Sequence, residues 1–117
     1  MTRRKILVVD DDEAVLDYLR AKLAARYELI TTNISEDVLQ LARSERPQLI
    51  LCDIDMPGMD GGDVSAALFD DDETRDIPVL FLSVLLSTQE QVGGRHAISK
   101  SAPIDQLIAR IELLIKG

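Results

Sequence analysis

The sequence predicts a doubly wound α/β domain, and three observations lead to this fold class. Short apolar runs alternate with amphipathic stretches along the whole chain, a pattern typical of parallel βα units with right-handed crossovers. The apolar runs are continuous, which indicates strands covered on both faces of a sheet. The length of 117 residues suits one compact domain, residues 1–117. We therefore expect a five-stranded parallel sheet flanked by helices, of flavodoxin-like size.

The first half of the chain predicts three strands and two helices. The strands are apolar runs that end at a charge or follow a break: Lys5–Val9, Tyr27–Thr31 and Gln48–Cys52. The first helix covers Glu13–Ala25, where apolar residues recur at helical spacing, and Asp11 or Asp12 is its N-cap. The second helix begins with Ser35 as its cap and carries acidic residues in its first turn.

The second half predicts two more strands and three helical segments. The strands are Ile77–Leu82 and His96–Ser99. A loop rich in Asp, Pro and Gly, Asp53–Gly62, leads into a short helix over Asp63–Phe69. Leu85–Val92 has room only for a short helix before two glycines, and an apolar stripe over Ile104–Ile115 predicts the closing helix.

Charge and composition exclude several classes of function. The net charge is −8, from 21 acidic and 13 basic residues, and such a surface repels nucleic acid. The single cysteine, Cys52, excludes an internal disulfide and any multi-cysteine metal site. The N-terminal apolar run Ile6–Val9 is too short for a signal peptide, and no segment is long enough to cross a membrane. We therefore expect a cytoplasmic protein with no direct nucleic-acid or membrane partner.

Polar side chains directly follow four of the five predicted strands. They are Asp10 and Asp11, Asp53, Ser83 and Lys100. Ligands of open α/β sheets bind at this edge, and three carboxylates there are tolerable when Mg²⁺ (or Mn²⁺) lies among them. Asp53 is then a candidate nucleophile that forms an acyl phosphate. Lys100 and the metal neutralise the transferring phosphoryl group, and Ser83 donates its hydroxyl to it.

At these residues the sequence resembles the receiver domains of two-component response regulators. The resemblance rests on four runs that occur in order and nearly in spacing: ILVVDDDE (Ile6–Glu13), LILCDIDMPGMDG (Leu49–Gly61), IPVLFLS (Ile77–Ser83) and ISK (Ile98–Lys100). The D-x-D-M-P-x-M-D-G element is highly specific, whereas an acidic pair alone is a weak signal. The resemblance implies the strand order 2-1-3-4-5, which places the first and third strands side by side.

The resemblance also implies a role for each site residue. Asp53 is the phosphoacceptor, Ser83 is the switch hydroxyl and Lys100 is the lysine of the family pattern. The implied metal ligands are Asp11 directly, Asp10 largely through bound water, Asp53, and the backbone carbonyl of Asp55. A histidine kinase or a phosphotransfer protein donates the phosphoryl group, and the domain signals by a conformational change. No enzyme activity is implied beyond self-phosphorylation and self-dephosphorylation.

Three departures from the family pattern affect the C-terminal third. Lys100 is followed by Ser101 where the family has proline, often after a cis bond, so we predict a trans or rearranged loop. The aromatic switch position holds Ala97, which removes the ring that swings behind the hydroxyl. The segment between Ser83 and Lys100 is several residues shorter than usual, so we expect a truncated fourth helix and a different output surface.

Three other readings compete with the receiver interpretation. An EF-hand loop over Asp53–Val64 fails because its fifth position is Pro57 and its twelfth is not Glu. A phosphoaspartyl-forming hydrolase shares the D-x-D element, but it needs a substrate cap and a larger body. A phosphorylation-independent interaction module fits the three departures, whereas the intact acids, Ser83 and Lys100 favour a phosphoacceptor. The last two alternatives stay open at this point.

Overall fold

The chain folds into a six-stranded sheet flanked by four α-helices in the described part of a computed structural model. The structure describes residues 3–54, 56, 60–83, 90–92 and 95–116. The elements are β1 (Arg4–Val9), α1 (Glu13–Leu23), β2 (Tyr27–Thr32), α2 (Val38–Glu45), β3 (Leu49–Asp53), α3 (Gly61–Phe69), β4 (Val79–Ser83), β5 (Glu90–Val92), β6 (Arg95–Ser99) and α4 (Ile104–Lys116). A 3₁₀ turn, Ser35–Asp37, precedes α2.

The sheet order is β2-β1-β3-β4-β6-β5. The five predicted strands correspond to β1, β2, β3, β4 and β6, and every pairing among them is parallel. The order 2-1-3-4-5 is therefore confirmed for these five strands, and the doubly wound α/β fold class with it. The remaining strand, β5, pairs antiparallel with β6 at the edge.

The core lies in two layers because neighbouring residues of each central strand face opposite sides of the sheet. In β1, Ile6 and Val8 pack in a cluster with buried side chains of α1 and α4. Leu7 and Val9 pack in a second cluster with buried side chains of α2 and α3. All four side chains are fully buried, and each contributes about 1.5–3 kcal/mol relative to an exposed position. This two-sided burial explains why the apolar run is continuous.

Acidic residues cap the N-termini of two helices, α1 and α3. Asp12 is the N-cap of α1, and its carboxylate accepts a hydrogen bond from the backbone N–H of Ala14 at 2.9 Å. Helix α3 begins at Gly61, two residues before the predicted start, because Asp60 and Asp63 form a reciprocal capping box. Of the two predicted caps of α1, Asp12 is thus the one used.

The prediction that Ser35 caps the second helix is wrong. The Ser35 hydroxyl donates to Glu36 Oε1 at 3.2 Å instead of accepting from a helix N–H. The residue before α2, Asp37, makes no side-chain cap hydrogen bond either. The 3₁₀ turn over Ser35–Asp37 takes the place of a capped first turn, since the backbone N–H of Asp37 already bonds to the carbonyl of Ile34 at 3.1 Å.

The prediction of a short helix over Leu85–Val92 is wrong for its last three residues. Glu90–Val92 forms β5, an edge strand antiparallel to β6, while residues 84–89 lie outside the described part of the chain. The register pairs Val92 with Arg95, and a Gly-Gly dipeptide separates these two residues in the sequence. Such a dipeptide is typical of two-residue hairpin connections, so the sequence carried a signal for a turn, but not for the sheet edge that Glu90–Val92 joins.

No helix in the described ranges has the length and the apolar character that crossing a bilayer requires.

Candidate functional site

The polar residues singled out in the sequence lie at the carboxyl ends of four strands. Asp53 and Ser83 are the last residues of β3 and β4, while Asp10 and Lys100 directly follow β1 and β6. The strand registers align these ends: Val9 pairs with Cys52, Asp53 with Leu82, and Ser83 with Ser99. Because the strands are parallel and adjacent, the residues that follow them converge on one edge of the sheet. This is the edge at which ligands of open α/β sheets bind.

Three carboxylates form the acidic part of the site. Asp10, Asp11 and Asp53 each offer an oxygen atom, and these oxygens all lie within 4.8 Å of one another. Asp10 and Asp53 are buried, whereas Asp11 is exposed. Like charges this close repel one another, and burial increases the energetic cost. The arrangement therefore favours a cation at the centre of the cluster.

Lys100 supplies one positive charge to this cluster. Its Nζ lies 2.8 Å from Asp10 Oδ2 and 3.3 Å from Asp53 Oδ1. Partial burial lowers the pKa of Lys100, but its contacts with Asp10 and the charge of Asp53 outweigh burial and raise the pKa above the ordinary value. Lys100 is therefore protonated at neutral pH and links the first and third strands through their carboxylates.

The donor set fits a hard divalent ion. Three carboxylates face one ammonium, so two negative charges in this group are not balanced by Lys100. One oxygen of Asp10 accepts from the backbone N–H of Asp12 at 2.9 Å, and the other makes no hydrogen bond of good geometry with any described group although Lys100 lies beside it. Mg²⁺ and Mn²⁺ prefer such oxygen ligands. Asp55, the fourth predicted ligand, lies outside the described residues.

The backbone around Lys100 has no cis bond. None of the peptide bonds that the structure describes is cis, which includes the bond between Lys100 and Ser101, so the predicted trans loop is confirmed. The Lys100 backbone N–H donates to the carbonyl of Ser83 at 3.0 Å. This bond continues the β4–β6 pairing by one residue and directs Lys100 toward the acidic cluster.

Ser83 lies at this edge, whereas Ala97 lies further back on the neighbouring strand, opposite Phe81. Ser83 is buried at the end of β4, and its role as a phosphoryl hydrogen-bond donor stays a prediction. Ala97 is fully buried and belongs to the same apolar cluster as Phe81. The aromatic ring of the family pattern is therefore absent from this position.

Cys52 is a core residue rather than part of the chemistry. Burial, with a smaller effect of Asp53 and Asp10, raises the pKa of Cys52 to about 12. The thiol is fully buried and protonated at neutral pH, whereas a thiolate is needed for nucleophilic attack or metal binding.

Gly61 is a contributor to the site that the sequence reasoning missed. A Cβ at this position would lie 2.9 Å from the Asp53 carbonyl oxygen, 2.9 Å from Ile54 Cα and 3.0 Å from the Phe81 ring. Its backbone N–H donates to the carbonyl of Ile54 at 2.8 Å. The first turn of α3 thus contacts the phosphoacceptor candidate, and the Asp-Gly-Gly sequence at the start of α3 was the signal for a close approach.

Comparisons with known proteins agree on one family. Residues 6–112 match the response regulator receiver domain. The chain is 39% identical over 118 residues to response regulator PleD of Caulobacter vibrioides, covering 96% of this chain but 26% of that protein. It is 36% identical over 115 residues to the polar-differentiation response regulator DivK of Brucella anthropi, covering 93% of this chain and 94% of that protein.

Solved structures show the same architecture. The fold is similar to a response regulator from Chloroflexus aurantiacus, with a TM-score of 0.85 and 24% identity over 99% of this chain and 100% of the other. It is also similar to a response regulator receiver domain from Francisella, with a TM-score of 0.83 and 27% identity over 97% of this chain and 98% of the other. The first of these likenesses bears on the fold alone.

Proposed function

Because this chain belongs to the response regulator receiver domain family, we propose that it accepts a phosphoryl group on Asp53 in a metal-dependent reaction. The observation that carries the proposal is the grouping of Asp53 with two further carboxylates and the Lys100 ammonium at one sheet edge. A nucleophile, a cation site and a fixed positive charge are the groups that phosphoryl transfer to a carboxylate requires.

In this mechanism a carboxylate oxygen of Asp53 attacks phosphorus. A bond forms between that oxygen and phosphorus while the bond to the donor nitrogen or oxygen breaks, and the donor leaves with the electron pair of the broken bond. Asp53 is almost fully enclosed, with 5% of its surface exposed. Its freedom is therefore limited before the donor arrives, which lowers the entropy cost of reaching a reactive geometry.

The remaining site residues stabilise charge. Lys100 stays protonated because of its raised pKa and lies 3.3 Å from Asp53 Oδ1, so its ammonium faces the charge that develops on the phosphoryl oxygens. Asp10, Asp11 and Asp53 would hold a bound Mg²⁺ or Mn²⁺, which would supply further positive charge. The carbonyl of Asp55 stays a predicted further ligand outside the described residues. Ser83 donates its hydroxyl to a phosphoryl oxygen of the product.

The experiment is intact-mass spectrometry after incubation with Mg²⁺ and a small acyl phosphate. We expect the wild-type protein to gain one phosphoryl group, and Asp53→Asn to gain none because an amide is not a comparable nucleophile. Asp72→Asn is the control, since Asp72 is an exposed acid that pairs with Arg75. An unmodified wild type, or equal labelling of Asp53→Asn, would show that the proposed mechanism is wrong.

The proposal extends to partner and location. We propose a histidine kinase or a phosphotransfer protein as donor, a cytoplasmic location, and no catalysis beyond phosphorylation and dephosphorylation of Asp53 itself. The chain spans about a quarter of PleD and nearly all of DivK, so relatives of both sizes carry this domain. Phosphatase activity toward a small phosphate ester would instead favour the hydrolase alternative.

A second candidate function is supported by the region after β4. Ala97 is buried where the family has an aromatic switch residue, and β5 is a strand where a helix was expected. These features favour an interaction module that works without phosphorylation. The labelling experiment separates the two candidates, because such a module would not require a reactive Asp53.

A further inference from the structure

The loop that carries Lys100 is held by hydrogen bonds of Ser99. Ser99 is the last residue of β6 and is 6% exposed. Its hydroxyl oxygen accepts from the backbone N–H of Ser101 at 3.1 Å and lies 2.8 Å from the hydroxyl oxygen of Ser101. The Ser99 carbonyl also accepts from the backbone N–H of Ala102 at 3.1 Å. Ser99 therefore accepts hydrogen bonds from residues that follow Lys100, with its side chain from Ser101 and with its backbone carbonyl from Ala102.

The packing around this loop is open on one side. A cavity of about 190 Å³ lies between α1 and α4, and its lining includes Tyr18, Ser99, Lys100 and Ala102. Because van der Waals contacts are missing where there is a cavity, packing alone does not fix the direction of the Lys100 side chain. A lysine side chain carries about 2 kcal/mol of rotamer entropy, so the ion pairs of Lys100 with Asp10 and Asp53 form more readily when the backbone already directs the side chain toward them.

The hydrogen bond to Ser101 uses a donor that a prolyl residue lacks. With serine after Lys100, the backbone N–H is present, and Ser99 is the side chain that accepts from it. The backbone N–H of Lys100 donates a hydrogen bond to the carbonyl of Ser83, the last residue of β4, at 3.0 Å. The two bonds hold the backbone on both sides of the Lys100 Cα in a trans loop, with the ammonium between Asp10 and Asp53.

We propose that Ser99 is a positioning residue for phosphoryl transfer: its hydroxyl fixes the trans Lys100–Ser101 loop and so places the Lys100 ammonium beside Asp53. The inference rests on the proposed function of Asp53 as phosphoacceptor. It assigns Ser99 no contact with the phosphoryl group, since its effect passes through Lys100.

The test measures the rate of phosphorylation by a small acyl phosphate with saturating Mg²⁺. Ser99→Ala removes the hydrogen bond from the Ser101 N–H. If the transition state loses the full contribution of one ordinary hydrogen bond, the phosphorylation rate should fall about three- to tenfold. Ser99→Thr keeps the hydroxyl and should restore most of the rate. Ser101→Ala should have a smaller effect than Ser99→Ala, since the Ser101 N–H remains.

The control is Ser65→Ala. Ser65 is 7% exposed, so its burial matches that of Ser99, but it lies beside the first residues of β4 and β6 rather than at the site edge. Its rate should equal that of the wild type. Should Ser99→Ala prove too unstable to assay, Ser99→Cys keeps the size of the side chain with a weaker acceptor, and the same loss of rate is expected.

Two readouts separate positioning from a general structural role. In a Lys100→Met background, Ser99→Ala should cause no further loss of rate, because the group that it positions is gone. The Mg²⁺ dissociation constant of Ser99→Ala should stay the same or fall, since an ammonium that moves away exposes the carboxylates more fully to the cation. A damaged site would instead bind Mg²⁺ more weakly.

Three results would overturn the proposal: a wild-type rate in Ser99→Ala, an equal loss of rate in the Lys100→Met background, or weakened Mg²⁺ binding in Ser99→Ala. A wild-type protein that is not phosphorylated at all would refute the proposed function, and with it this inference. A phosphorylated wild type with a fully active Ser99→Ala variant would refute this inference alone.

Discussion

The two halves of the sheet differ in how closely they follow the sequence pattern of receiver domains. In the half formed by β1, β2 and β3, every strand was predicted, and the two central strands are covered on both faces. In the half formed by β4, β5 and β6, an edge strand replaces part of a predicted helix, and Ala97 occupies the aromatic position. The residues of the proposed reaction are thus present, while the region after β4 departs from the family pattern.

The difference teaches that the acids of the proposed reaction belong to the half that follows the family pattern, while the other half contributes Lys100 and carries the changes. The acids come from the ends of β1 and β3, whose positions are determined by the central core. From the far side of the sheet, Lys100 pairs with two of these acids, Asp10 and Asp53. Labelling of Asp53, lost in Asp53→Asn, would show that the first half functions although the second half has changed.

The largest further effect is expected at Ala97, a buried position in the second half where an aromatic side chain should not fit. Ala97 is fully buried beside Phe81 in one apolar cluster, so Ala97→Tyr should lower the free energy of unfolding by about 1–3 kcal/mol through overpacking. Urea denaturation measures this change, with Ala109→Tyr on the exposed face of α4 as the control. An unchanged urea midpoint for Ala97→Tyr would show that this region accommodates an aromatic ring. The two halves of the sheet would then differ less than their sequences suggest.

A second effect separates two adjacent acids in the first half. Asp11 offers an oxygen to the acidic cluster, so Asp11→Ala should weaken Mg²⁺ binding about tenfold or more. Asp12 caps α1, so Asp12→Ala should cost about 1 kcal/mol of stability with little effect on Mg²⁺ binding. A metal titration and a denaturation curve for each variant test both statements, and equal metal affinities would refute the ligand assignment.

The smallest effect concerns the ion pairs of Lys100 with Asp10 and Asp53, which link the two halves of the sheet. Their contribution to stability should change at alkaline pH. Partial burial lowers the pKa of Lys100, but Asp10 and Asp53 raise it above 10.5 overall. A raised folded-state pKa gives a contribution that is fully present below the unfolded-state pKa and is lost as pH rises through the folded-state pKa. The stability advantage of the wild type over Lys100→Met should therefore be constant at neutral pH and shrink above about pH 10.5.

Tyr27 provides an internal check on this measurement. Burial and a hydrogen bond to Glu112 raise the pKa of Tyr27, so its own titration also reduces stability at high pH. Because Tyr27 is present in both proteins, its effect cancels in the difference between wild type and Lys100→Met. A difference that stays constant up to the alkaline limit of folding would contradict the assignment of the ion pairs.

The sequence by itself determined the fold class, the five parallel strands and the identity of the residues at the strand ends. It could do so because burial on both faces requires continuous apolar runs, as in β1 and β3, and because the residue that ends such a run lies at the sheet edge. The resemblance then supplied the strand order that places Asp10 near Asp53, since the pattern of elements alone is compatible with several orders.

The tertiary structure alone decided three features. The choice of Asp12 over Asp11 as helix cap depends on which carboxylate the backbone of α1 can reach. The strand over Glu90–Val92 depends on an available edge of β6, and such pairing is a contact between elements rather than a local preference. The Ser99 hydrogen bond to Ser101 depends on the path of the loop in three dimensions. Each is a matter of distance between groups, which periodicity and composition do not encode.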